Sequence, residues 1–155
     1  MEMKWHSFHR FRADNNMIKV EIIKGPISFF PNDDTREQDG AELIFNGRVR
    51  ATEYGNSITA LEYEQYEGMA EAELKKLAED SCQKFPIHDL FCKHRIGRVE
   101  VGATSLHVVI WSKHRKEAID AMSWFIIELK KQVPIWKWAI LGDGSRIPSE
   151  CSHDY

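Results

Sequence analysis

Two amphipathic stretches, each closed by a proline, constrain this chain more than any other feature. From Glu67 to Phe85, the residues Ala70, Leu74, Leu77, Ala78, Ser81 and Phe85 recur at spacings of three and four, so they share one helix face, with acids and lysines opposite. Pro86 stops this helix, because the residue before a proline is pushed out of the α region. From about Lys116 to Lys131 a second stripe, Ala118, Met122, Phe125, Ile126 and Leu129, predicts another helix, closed by Pro134. Strand patterns surround these helices at Met17 to Ile23, Ala41 to Val49, Ser57 to Tyr66, Ile87 to Ile96, Thr104 to Ser112 and Lys137 to Leu141. Tyr54-Gly55-Asn56 is expected as the turn between the second and third strands, and Gly97 to Gly102 as the turn between the fourth and fifth. The polar run PNDDTREQDG (31–40) reads as a loop and GDGSRIPS (142–149) as a turn-rich tail. Strands, helix, strands, helix, strand, without repeats, is the order of a single α+β domain, with mixed or antiparallel strands and two main helices. The domain is expected over residues 17–155, after a loose extension at 1–16.

Charge and cysteine usage narrow the function classes. The formal net charge is −3, against the basic footprint of a nucleic-acid binder. Its distribution is uneven: Glu62 to Asp80 holds seven acids and two lysines, whereas Lys93 to Lys137 holds nine Lys/Arg and four acids. A basic C-terminal half can gather cations around a small anion, or can be scattered solvated charge. Cys82, Cys92 and Cys151 form no CxxC pair, and an odd count without a secretory signal points to free thiols in a reducing compartment. No run approaches the roughly 18 apolar residues of a membrane span. A cytoplasmic protein is the expectation. His6 and His9 have no carboxylate or thiol partner nearby and read as surface histidines, so no metal site is expected.

Four basic clusters could carry chemistry. Arg48-Val49-Arg50 ends a predicted strand, and alternation places both guanidinium groups on one face, where they could fork toward one anion or serve as surface charge. His94-Arg95 lies in another strand. His114-Arg115 stands at a strand-to-helix junction, where backbone N–H groups attract anions, although a histidine there also serves as a cap. Lys130 occupies the last turn of the second helix and Lys137 lies just past Pro134, so a tight turn could bring both ammonium groups to one pocket. Lys130 and Lys131 could equally just complement the negative end of the helix dipole. Lys131, next in sequence, falls on a different face.

The order of these blocks resembles a known family. FNGRVR (45–50), LEYEQYEGMAEAEL (61–74), KHRIGRVEVG (93–102), SKHR (112–115) and LKKQVPIWK (129–137) are similar to successive segments of the large subunit of molybdopterin synthase, the MoaE family. The resemblance implies an α/β-hammerhead fold and a homodimer within a heterotetramer. The partner would be a small ubiquitin-like sulfur-carrier subunit, MoaD-like, whose C-terminal Gly-Gly carries a thiocarboxylate. The implied reaction converts cyclic pyranopterin monophosphate, a pterin phosphate, to molybdopterin in two sulfur transfers. The family motif around Arg48, Val49 and Arg50, together with His114-Arg115, would bind substrate, partly across the dimer interface. Lys130 matches the family's essential helix-end lysine and Lys137 its second lysine, and the substrate-binding segment would run on through Trp138 and Ala139. Sulfur comes from the partner, so the resemblance implies no catalytic cysteine, no cofactor and no metal. The chain departs from the family directly after IWK: a basic residue and Glu are usual there, and here Trp138 and Ala139 stand. That departure motivates an alternative, a diverged homologue that binds a ubiquitin-like tail or a pterin without turnover.

Overall fold

The computed structural model describes residues 16–149. Residues 1–15 of the expected extension and Cys151 fall outside the described residues, while Asn16 donates to Ile87 O at 2.9 Å. The elements run β1 (Met17–Lys24), β2 (Ala41–Arg48), β3 (Thr52–Glu53), β4 (Asn56–Gln65), α1 (Met69–Lys84), β5 (Ile87–Glu100), β6 (Thr104–Ser112), α2 (Arg115–Gln132), β7 (Ile135–Leu141) and β8 (Arg146–Pro148).

Both helices form where the stripes predict and stop for the predicted reason. Phe85 and Val133, each ahead of a proline, adopt extended backbone, and their N–H groups still reach Ser81 and Leu129 of the preceding turns. The first helix begins at Met69, not Glu67, because Gly68 sits at φ 82°, outside the helical region. Its buried face is Ala70, Leu74, Leu77, Ala78, Ser81 and Cys82. Phe85 caps the helix half-buried instead of completing the stripe.

The strands join in the order β2-β6-β5-β4-β7-β8, antiparallel throughout, with β1 added parallel to β5 and β3 paired to β4. The long β5 makes this possible by changing partners. From Asp89 to Ile96 it pairs β1, and its pairing with β6 runs from Ile87 to His94. From Gly97 to Glu100 it pairs β4. Gly97, at φ 84°, marks the changeover. The expected turn from Gly97 to Gly102 is therefore strand for most of its length, and the reversal is confined to residues 101–103. Tyr54-Gly55 turns the β3–β4 hairpin and does not join the two long strands directly. The tail contains β8, and β7 starts two residues earlier than its pattern suggests.

The helices cover one face of β1, β5, β6 and β2. Leu74, Leu77, Leu90, Val108, Ile110 and Phe125 are all under 2% exposed there and form the main core. On the opposite face Phe91, Val109 and Trp111 make a smaller cluster, on which Phe30 packs. Arg36 holds the 31–40 loop over that face: its guanidinium lies 3.6 Å from the Trp111 ring centre and bonds Asp39 and Asp89 at 2.9 and 2.8 Å. A third cluster, Val49, Ile58, Leu61, Val99 and Ala139, sits under β4 and β7. Among the described residues no helix is long and apolar enough to cross a membrane.

Candidate active site

Where the two halves of the sheet diverge, a cavity of about 710 Å³ opens between β2, β4, β7 and the end of α2. That volume suits a small-molecule ligand. Arg48, Arg50, Lys130, Lys137 and Trp138 all line it, although they come from three separate segments of the chain. Strand β2 ends at Arg48 beside a register shift at Gly47/Arg48, and Arg48 Nη1 donates to Gly102 O at 3.3 Å. Val49 turns the other way, 3% exposed in the third cluster, which leaves Arg48 and Arg50 on the cavity side, as alternation predicts. Lys130 comes from the last turn of α2. Lys137 stands on β7 opposite Tyr63. Lys131 points away and meets Glu128 on the surface at 3.9 Å.

Other predicted residues lie elsewhere. His114 and Arg115 are exposed at the start of α2 and do not line this cavity. Fifteen residues of helix, about 22 Å at 1.5 Å each, separate Arg115 from Lys130. His114 makes no side-chain capping bond, so the cap explanation for it fails. Val49 and Ala139 are buried in the third cluster, Ala139 at 0% exposure, so their side chains pack behind the site. Trp138 lines the cavity half-buried, with the Arg146 guanidinium 4.5 Å from its ring centre.

Sequence reasoning named His94 among its basic clusters but missed the rest of the cavity's polar interior, Tyr63, Ser105, Glu53 and Ser149. Tyr63 donates to Ser105 Oγ at 3.2 Å, and Ser105 in turn donates to Gly47 O at 3.3 Å. Burial pushes the Tyr63 phenol upward, with the charge of Glu53 adding to the effect against the Ser105 bond. His94 meets the Tyr63 ring edge-on, with centroids 5.3 Å apart. Its Nδ1–H donates to Arg95 O at 2.9 Å, which fixes the tautomer. Burial pushes the imidazole down to about 4, and the charge on Lys137 acts in the same direction against that backbone bond. His94 is therefore neutral at pH 7. Glu53, 3% exposed, accepts from Ser149 Oγ at 3.2 Å. Alternation could have placed Tyr63 and His94 on an inward face, but Glu53 lies in β3 and Ser149 follows β8, strands too short to have a period.

Neither described thiol, Cys82 nor Cys92, lines this cavity. Cys82 and Cys92 are free and buried, and burial pushes Cys82 up to about 12 and Cys92 upward too. Protonated thiols at such positions are poor nucleophiles. The cavity is thus lined by cations, with the polar groups of Tyr63, His94, Ser105 and Ser149 and the carboxylate of Glu53 among them.

Comparison with known proteins identifies the family. The family model described as MoaE protein matches residues 23–132. The chain is 36% identical over 130 residues to the molybdopterin synthase catalytic subunit of Pyrococcus abyssi, covering 81% of this chain and 88% of that one. Its fold is similar to the crystal structure of molybdopterin synthase from Staphylococcus aureus, with a TM-score of 0.71 and 33% identity over 81% of this chain and 93% of that one. It is also similar to a chain in the complex of subunits 1 and 2 of molybdopterin-converting factor from Helicobacter pylori, with a TM-score of 0.67 and 26% identity over 86% and 91%. Ordered sequence blocks, the mixed sheet with its two helices, and a family match over most of the length all lead to one conclusion: the chain belongs to the MoaE family.

Proposed function

We infer that this chain is the catalytic subunit of a molybdopterin synthase, a sulfurtransferase of molybdenum cofactor biosynthesis. It takes sulfur from the thiocarboxylated C-terminus of a small MoaD-like subunit and delivers it to cyclic pyranopterin monophosphate. The observation that carries the reading is the convergence of Arg48, Arg50, Lys130 and Lys137 on one cavity in a chain of this family. The substrate brings a phosphate and the donor brings a thiocarboxylate, so the site must hold several negative charges at once. Arginine forks suit the phosphate. Lys130, at the open end of α2, stabilises the charge that develops on the tail's terminal carbonyl and carries a proton. Lys137 binds substrate or acts as the partner acid. Trp138 offers a flat face to the pterin, while Val49 and Ala139 contribute packing behind it.

His114 and Arg115 enter the proposal through a second copy. Their distance from the cavity of their own chain accords with a site shared across a homodimer, itself part of a heterotetramer with two small subunits. The same reading places the enzyme in the cytoplasm. A non-catalytic homologue remains the second reading, favoured by the absence of a charged side chain at Trp138 and Ala139.

The test mixes the purified chain with a thiocarboxylated small subunit and cyclic pyranopterin monophosphate and measures molybdopterin. Product formation, lowered about 10²–10³-fold in Lys130→Ala, is the expected result. Tight partner binding without product would favour the non-catalytic homologue, and full activity in Lys130→Ala would refute the role given to that lysine.

A further inference from the structure

Among the described residues lining the cavity Glu53 is the one acid, and the sulfur-transfer scheme gives it no part. It heads the β3–β4 hairpin, whose turn residues Tyr54 (φ 48°) and Gly55 (φ 75°) both adopt the left-handed conformation of a tight two-residue turn. This places Glu53 directly across from Asn56. Ser149, just past β8 and 96 residues away in sequence, donates its hydroxyl to Glu53 at 3.2 Å. Two short elements thus meet on this carboxylate at the cavity wall. The charged and titratable groups that share the cavity with it are Arg48 on β2, Arg50 in the β2–β3 link, Tyr63 on β4, His94 on β5, Lys130 on α2 and Lys137 on β7. Tyr63, which shares the cavity with Glu53, meets His94 edge-on at 5.3 Å and stands opposite Lys137 on β7, so a chain of neighbouring residues runs across the cavity. A buried carboxylate is tolerated only among opposite charges and donors, and removing one member of such a group leaves the others uncompensated.

We propose that Glu53 is a positioning residue for sulfur transfer: latched by Ser149, its carboxylate holds the cavity's cations in their working directions before the anionic substrate and the partner's tail arrive. The inference rests on the sulfur-transfer reading above. Glu53 acts through the cations and does not touch the reacting atoms. Loss of its charge therefore has two opposed effects. The cavity becomes more positive, so an anionic substrate binds at least as well. The cations lose their alignment, so the chemical step slows. A residue that contacted substrate directly would instead raise KM when removed, and a purely structural one would lower the folded fraction without changing either constant of the folded molecules.

The experiment compares the full chain with Glu53→Gln, Glu53→Asp and Ser149→Ala, each assayed with the thiocarboxylated subunit and cyclic pyranopterin monophosphate. Glu53→Gln should lower kcat by about tenfold or more with KM no higher than wild type, and Glu53→Asp should recover part of kcat. Ser149→Ala should reproduce the effect in weaker form, about two- to threefold. Wild-type kcat in Glu53→Gln, a raised KM with kcat retained, or no rescue by Glu53→Asp would each overturn the proposal. If circular dichroism shows Glu53→Gln unfolded, Glu53→Asp and Ser149→Ala carry the same kcat and KM comparison. A parallel titration with inorganic phosphate needs no turnover. Glu53→Gln must bind phosphate at least as tightly as the wild type, and weaker binding refutes Glu53's charge role even if the wild type makes no molybdopterin, a result that would refute the sulfur-transfer reading instead.

Discussion

The two halves of the sheet solve different problems with the same chain. Strands β1, β5, β6 and β2 are covered by α1 and α2 over a core of aliphatic and aromatic side chains, with Leu74, Leu90, Val108, Ile110 and Phe125 fully enclosed. Beyond Gly97 the sheet continues into β4, β7 and β8 with no helix contributing to the small cluster of Val49, Ile58, Leu61, Val99 and Ala139. Beside that cluster the space is left as a cavity, and the buried residues near it include Glu53, His94 and Ser105. Burial of polar and charged groups stabilises less than burial of apolar ones and needs partners. The difference teaches that stability is concentrated in the helix-covered half, while the other half holds cations and polar groups at defined positions.

That contrast can be broken by experiment. Phe125→Ala, in the enclosed core, should cost about 3–5 kcal/mol in urea unfolding, with turnover per folded molecule preserved. Lys130→Ala should do the reverse, lowering molybdopterin formation about 10²–10³-fold while shifting stability by less than about 0.5 kcal/mol. If the two variants lost stability equally, the division between the halves would be wrong.

His94 links the two halves and sharpens the comparison through pH. Its pKa is about 4 in the folded protein against 6.5 in an unfolded chain, so the unfolded state binds the extra proton between those values. Stability should therefore be fully present above pH 6.5 and fall as pH drops toward 4, by at most about 3 kcal/mol. His94→Gln should flatten that part of the pH dependence in thermal melts, and an unchanged slope would remove His94 as its source. The smallest effect belongs to Lys131→Ala. Its exposed pair with Glu128 at 3.9 Å should be worth less than about 0.5 kcal/mol, with turnover unchanged. A large loss of activity there would show that the two adjacent lysines are not divided between cavity and surface as described.

The enclosed half was legible in the sequence because its signals are local and repeated. Helix stripes and strand alternation locate α1, α2, β5 and β6 to within a few residues, and Pro86 and Pro134 mark both helix ends. The errors fall where a single backbone conformation outweighs the pattern. Gly68 delays α1, and Gly97 lets β5 run through what reads as a turn. In β3 and β8, two and three residues long, no period exists to be read.

The same physical line divides the site. Arg48, Arg50, Lys130 and Lys137 were legible because alternation and a proline-closed helix are local rules, and the ordered blocks around them identified the family. The sequence by itself determined the elements, the cation-bearing segments and the family. Only the tertiary structure decided that these cations meet in one cavity, that Val49 and Ala139 turn into the core, and that His114 and Arg115 sit a helix length away. It also brought Glu53 together with Ser149 and His94 together with Tyr63. Those are contacts between residues dozens of positions apart. No local periodicity encodes them, because they depend on the register of long-range strand pairs and on where β5 exchanges one partner for another.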